Sequence, residues 1–130
     1  MSITAHDAAG VAIMLWSADA SCPERLATPF FHAAAAAAMD VPVELYFTAA
    51  SVHLLVPGVA ARLRASTRSD KTIADNLQEA VALGARLFAC SDALAAQGIA
   101  PDALLPGCAR GGAVQFMARA IDLRWRALVF

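Results

Sequence analysis

The stretch Leu87–Asp92, LFACSD, ends an apolar run on a thiol and passes at once into Ser91 and Asp92, which can open a helix. A cysteine at that junction is either a small core filler or a nucleophile held at the rim of a sheet. The thiolate is the reactive form of cysteine, and the unpaired N–H groups of a helix start favour negative charge. Asp92 opposes this by like-charge repulsion unless it turns away as a cap. His53 is a candidate proton donor or base, because a Cys–His pair is a recognised way to activate a sulfur nucleophile. Against these roles stand a buried, inert Cys90 and a partly exposed helix histidine.

The chain holds three cysteines, Cys22, Cys90 and Cys108. No Cys-x-x-Cys motif and no paired His/Cys spacing suggests a metal site, so no metal and no cofactor is expected. In a reducing cytosol the three are expected as free thiols. Cys22 could resolve an oxidised Cys90 if the two loops come close, which would make a thiol redox sensor. The turn Gly107–Gly112, GCARGG, precedes a helical segment and could cradle an anion with its backbone N–H groups and Arg110. It matches neither the P-loop nor the dinucleotide fingerprint, and the glycines equally serve left-handed turn geometry.

The elements that would position these residues follow from hydrophobic patterning. Val11–Trp16, VAIMLW, is a short continuous apolar run of the kind buried on both faces of a parallel sheet. Pro23 and Glu24 open a helical segment. Pro29 either kinks it or starts it anew with Thr28 as N-cap, and Phe30–Met39 is helical in either case. The run Ala33–Ala38 gives that helix almost no polar face, so it packs tightly among neighbouring elements or is also covered by another subunit. Val43–Thr48 reads as a second strand, and Ala49–Val56 as a helical piece ending at Pro57 and Gly58. Val59–Leu63 reads as another short helical piece, and residues 65–71 as a polar loop. Ile73, Leu77, Ala80 and Val81 make the apolar stripe of a helix over 72–83 that stops at Gly84. A third strand spans Ala85–Cys90 and a short helix Asp92–Gln97. A short strand is expected near Leu105–Ala109, a helix over Ala113–Ile121, and a last strand over Ala127–Phe130, with a start as early as Arg124 as the alternative.

Strands alternating with helices predict a single domain over 1–130. It is expected to be a three-layer α/β/α sandwich with a parallel sheet of four to five strands, flavodoxin-like in architecture. In such sheets ligands bind beyond the carboxyl ends of the strands. That rim would gather Ser17, Asp19, Ser21 and Cys22 after the first strand. It would add Thr48, Ser51 and His53 after the second, and Cys90, Ser91 and Asp92 after the third.

Composition limits the partners. The chain has 130 residues, 59% hydrophobic and 16% charged, with net charge −1. Arg62, Arg64, Arg68 and Lys71 are interrupted by polar residues and read as a solvated loop, so nucleic acid is not an expected partner. A spanning helix needs about 20 apolar residues. The longest stretch free of Asp, Glu, Lys and Arg, Leu45–Ala61, contains His53, Pro57 and Gly58. The N-terminus, MSITAHDAAG, lacks the basic start and apolar core of a secretory signal. A cytoplasmic protein without a membrane partner is expected, its excess apolar surface hidden in subunit contacts.

The same stretches resemble the DsrE/DsrF-like family of small sulfur-relay proteins. VAIMLW and then VELYFTAASVHLLV are similar to the family's first strand and its strand–loop–apolar helix. NLQEAVALGARLFACSDALAAQGIAPDALLPGCARGG resembles its helix, its strand ending in cysteine, its short helix and its glycine turn. AVQFMARAIDLRWRALVF resembles its closing helix and strand. The resemblance implies that Cys90 accepts sulfane sulfur as a persulfide, with sulfur donor and acceptor proteins as partners. It also implies an oligomer, commonly a trimer or hexamer. The SDALAAQ that follows Cys90 lacks the Gly- or Arg-rich pattern of the sulfur-transfer subunits. The alternative is a non-catalytic oligomeric module whose rim holds a small ligand or protein, with Ser17, Ser51 and Arg110 as polar contacts.

Overall fold

The computed structural model of the chain describes residues 8–130, so most of the MSITAHDAAG stretch, which lacks the marks of a secretory signal, lies outside the described residues. Among the described residues five strands form one sheet: β1 (Gly10–Leu15), β2 (Val43–Phe47), β3 (Arg86–Ala89), β4 (Ala109–Arg110) and β5 (Trp125–Val129). Their order across the sheet is β4-β3-β2-β1-β5, and every neighbouring pair is parallel. Four α-helices connect them: α1 (Ala27–Ala38), α2 (Ile73–Ala82), α3 (Ser91–Ala96) and α4 (Ala113–Ala120).

The strand order decides which helix covers which face. From β1 to β4 the chain steps across the sheet in one direction, and crossovers of one hand then return on one side. The step from β4 to β5 runs back across the whole sheet, so its helix, α4, lies on the opposite side. The core divides accordingly. The larger cluster includes Ile13, Leu15, Leu45 and Phe47 of the strands with Phe30, Ala33, Ile73 and Leu77 of α1 and α2. The smaller one joins Ala12, Tyr46 and Phe88 to Phe116 of α4. The three-layer parallel architecture expected from the sequence is therefore present, with unequal outer layers.

Local chemistry explains the boundaries. Pro29 sits in the first turn of α1, where its missing N–H interrupts no helical bond, so the helix starts ahead of it at Ala27 without a kink. Ala33, Ala36 and Ala37 are buried, and alanine allows α1 to pack closely on the sheet and α2. Its outer side leaves Phe31 and Met39 more than half exposed. Thr72 and Asp75 form a reciprocal capping box at the start of α2. Gly84, at φ +114°, ends the last turn in a conformation that side chains rarely adopt. Val81, counted in the apolar stripe of α2, stands exposed, and Ile73, Asn76, Leu77 and Ala80 make the buried side. The segments Ala49–Leu55 and Ala60–Arg62 are 3₁₀ rather than α-helical.

The fourth strand begins later than the sequence suggests. Pro106 has no N–H to give to a ladder, Gly107 takes φ +82°, and the Cys108 N–H turns back to the Leu105 carbonyl. Pairing with β3 can start only after this turn, at Ala109 opposite Phe88.

No helix among the described residues is long and apolar enough to cross a membrane.

Candidate functional site

The parallel registers bring the strand ends level. Leu15 is opposite Phe47, Phe47 opposite Ala89, and Ala89 opposite Arg110. The ladder also continues one rung past each strand. Thr48 N donates to Leu15 O at 3.2 Å, Cys90 N to Phe47 O at 3.0 Å, and Gly111 N to Ala89 O at 3.1 Å. Cys90 is thus held by the last rung of a buried strand and is at the same time the N-cap of α3, with extended backbone (φ −70°, ψ 122°). Its thiol makes no capping hydrogen bond. The residue is half-buried.

Cys90 packs against the main core cluster, and its sulfur also borders a glycine. A Cβ placed on Gly112 would come 3.7 Å from Cys90 Sγ. Gly112 is the N-cap of α4, and no side chain caps that helix start. Its first N–H groups therefore lack side-chain partners, in a helix whose N-cap residue borders the thiol. Around them opens a cleft of about 380 Å³, bounded by Ser91 and Asp92 on one side and by Arg110, Gly111 and Val114 on the other. Ser91, Asp92 and Arg110 are exposed, and none of their side chains makes a hydrogen bond or ion pair among the described residues. A nucleophilic sulfur in this cleft meets one positive and one negative side chain and the dipole end of α4.

The other residues expected at the rim are distributed differently. The His53 ring does not pair with Cys90: Nε2 donates to Gln97 Oε1 at 2.9 Å. Gln97 is the C-cap of α3 and Cys90 its N-cap, so the histidine is tied to the far end of a helix about 9 Å long. Ser51 is fully buried. Its hydroxyl donates within reach of the carbonyls of Leu15 (2.8 Å) and Thr48 (2.7 Å) and accepts from Thr48 N at 3.0 Å, so it joins two strand ends and offers nothing to a ligand. Asp19 accepts from the backbone N–H of Ser21 at 2.9 Å and holds a local turn. Ser17 borders a separate cleft of about 350 Å³ with Glu24, Arg25, Thr28 and Phe130.

The three thiols also differ. Cys22 Sγ donates to Glu24 Oε1 at 3.1 Å, and that bond to a carboxylate pushes the thiol's pKa up. Burial pushes the Cys108 thiol up, and its sulfur faces the Ala109 carbonyl at 3.6 Å. All three are free, and β2 stands between the strands that lead to Cys22 and Cys90, which separates those strand ends by about 10 Å. The rim does not assemble a Cys22–Cys90 pair. Among the described residues no three His, Cys, Asp or Glu side chains gather as a metal site.

Sequence reasoning missed Glu44, the one buried acid of the sheet. It is 3% exposed in the middle strand on the α4 side. Arg119 Nε and Nη2 donate to its two oxygens at 2.9 and 3.1 Å, and the Tyr46 hydroxyl donates at 2.8 Å. Burial pushes the carboxyl's pKa up, but the Arg119 and Tyr46 hydrogen bonds outweigh it and the net shift is downward. The available signal was an acid inside an apolar strand, which has to be paired to be buried.

Two solved structures share this fold. The ychN protein from E. coli superposes with a TM-score of 0.70 at 17% identity, over 93% of this chain and 98% of that one. MTH1491 from Methanobacterium thermoautotrophicum, described as a protein of unknown function, superposes with a TM-score of 0.60 at 22% identity, over 92% and 97%. No curated protein matches the sequence. The profile of the DsrE/DsrF-like family matches residues 11–130, which contain every strand but the first residue of β1, all four helices and the Cys90 cleft, and the chain belongs to that family.

Proposed function

We propose that this protein is a cytoplasmic sulfur carrier that holds sulfane sulfur as a persulfide on Cys90. The Cys90 thiolate attacks the outer sulfur of a donor persulfide, R–S–SH. A bond forms between Sγ and that sulfur, the donor's S–S bond breaks, and R–S⁻ leaves with the bonding pair. The product is Cys90–S–SH. An acceptor thiolate then takes the outer sulfur by the same displacement and regenerates the thiolate, with no net oxidation.

The observation that carries this reading is the place of the sulfur: half-buried at the end of a central strand, bordering an open cleft, with backbone at Gly112 instead of a side chain across from it. Unpaired N–H groups at the start of α4 and the Arg110 guanidinium would accommodate the charge of a thiolate or persulfide anion. Family membership favours the same chemistry. His53 is not needed for it, since thiolate displacement on a persulfide requires no proton donor near the attacking sulfur. The donor and acceptor are proteins that bring their thiols to this cleft.

The carrier is proposed to work as a homo-oligomer. Val114, Met117 and Ile121 form an exposed apolar stripe along α4, and Phe31 of α1 and Met39 just after it are also exposed, the kind of surface that subunit contacts cover.

Treatment of the native protein with a small persulfide donor should add one sulfur atom to the wild type and none to Cys90→Ser. Equal labelling of the two, or no labelling of either, would leave a ligand-binding module instead.

A further inference from the structure

On the α4 side of the sheet a chain of hydrogen bonds crosses from β2 to the helix. The Tyr46 hydroxyl donates to Glu44 Oε1 at 2.8 Å, and Gln115 Nε2 donates to that hydroxyl at 2.9 Å. Arg119, four residues on, grips both oxygens of Glu44. Residues four apart share a helix face. Between them Phe116 meets the Tyr46 ring edge-on, with ring centres 5.3 Å apart. Arg119 also lies over the Trp125 ring, 4.1 Å from its centre. One anchor would let α4 swing about it, whereas two anchors a turn apart form a polar clamp that fixes both its position and its rotation.

The upper anchor is next to the thiol. Gln115 is the third residue of α4, and its Oε1 lies 2.9 Å from the point where a Cβ on Gly111 would sit. The amide therefore closes over the Gly111 backbone, whose N–H is bonded to the residue before Cys90. The next residue, Gly112, borders Sγ. A hydrogen bond, the packing of the Gln115 amide on Gly111 and the peptide bond to Gly112 thus connect the Tyr46 hydroxyl to the wall of the cleft.

We infer that Tyr46 and Gln115 are positioning residues for the Cys90 cleft: their hydrogen bond sets how close the first turn of α4 stands to the sulfur. The purpose of that placement rests on the sulfur-carrier reading, but the placement itself concerns only the thiol. The dipole end of a helix acts over about one turn, so a small retreat of α4 weakens the field at Sγ.

The test uses the full chain with Tyr46→Phe, Gln115→Ala and the double variant. Rates of Cys90 alkylation, followed by peptide mapping, are compared at one pH for anionic iodoacetate and neutral iodoacetamide. General loosening raises both rates together, whereas the ratio between them reports the field at the sulfur. The iodoacetate-to-iodoacetamide ratio is expected to fall about two- to fivefold in each single variant. The double variant should fall by less than the two single effects combined, because both changes remove the Tyr46–Gln115 bond while each also removes a contact of its own. A ratio that stays level or rises in Tyr46→Phe, or falls that add in the double variant, would overturn the inference. Tyr46→Phe keeps the ring that stacks on Phe88 and decides the matter if Gln115→Ala does not fold. Failure of the sulfur-carrier reading would be seen separately, as wild-type Cys90 that takes up no sulfur while the ratio still responds.

Discussion

Cys90 Sγ and Gly112 face each other with no side chain between them: a Cβ on the glycine would stand 3.7 Å from the sulfur, at ordinary contact distance. The backbone of Gly112, at φ −124° and ψ −147°, lies outside the left-handed region. The glycine thus serves access to the thiol rather than a backbone turn. In Gly112→Val the new Cβ meets nothing but the sulfur within 4 Å, so the variant should fold with its side chain beside the thiol. It should slow alkylation of Cys90 by N-ethylmaleimide about tenfold, a change that corresponds to ~1.4 kcal/mol. Unchanged reactivity would mean that reagents reach the sulfur from another side.

Gly111 plays the opposite part. A Cβ there would lie 2.9 Å from Gln115 Oε1 and 3.0 Å from Phe88 Cδ1, so the clamp would have to give way. Overpacking of this kind costs about 1–3 kcal/mol. Gly111→Ala should melt several degrees below the wild type and should also lower the iodoacetate-to-iodoacetamide ratio at Cys90. Thermal denaturation by circular dichroism and the alkylation assay check the two halves independently.

Glu44 links the clamp to pH. Its carboxyl pKa is lowered in the folded protein, so the ion pair with Arg119 contributes stability that is fully present above the unfolded carboxyl's value. That contribution is lost as pH falls through the lowered folded value. Glu44→Gln should therefore be less stable than the wild type at pH 7, by about 1–3 kcal/mol given that Arg119 is partly solvated. The gap should narrow as the pH is lowered below the ordinary carboxylate range. Urea denaturation across a pH series measures it, and a gap independent of pH would show that the carboxylate charge contributes nothing.

Much of the architecture was legible because β1, β2 and β3 are short, largely apolar runs and several helices carry their own start or stop. Examples are Pro29 near the beginning of α1, Thr72 before α2 and Gly84 after it. The position of Cys90 at a strand end followed from the same patterning. What the sequence could not convey depended on contacts distant along the chain. Val81 fits a helical stripe by spacing yet faces water, because α2 rolls toward Ile73 and Leu77. His53 and Cys90 follow adjacent strands, but a hydrogen bond to Gln97, 44 residues on, holds the ring at the far end of α3. Ser51 looks like a rim hydroxyl and is instead an internal tie to Leu15. The polar clamp joins residues about 70 apart, Tyr46 to Gln115 and Glu44 to Arg119, and only the unusual acid in β2 hinted at it.

The most direct measurement of the central claim is peptide mapping of the native protein after exposure to a persulfide donor, with each of the three thiols quantified. The account predicts added sulfur on Cys90 that an acceptor thiol removes, with Cys22, whose bond to Glu24 keeps it protonated, and Cys108, whose thiol burial pushes up, left unmodified. Sulfur spread evenly over the three cysteines, or reaching Cys90 only after the protein is unfolded, would contradict it.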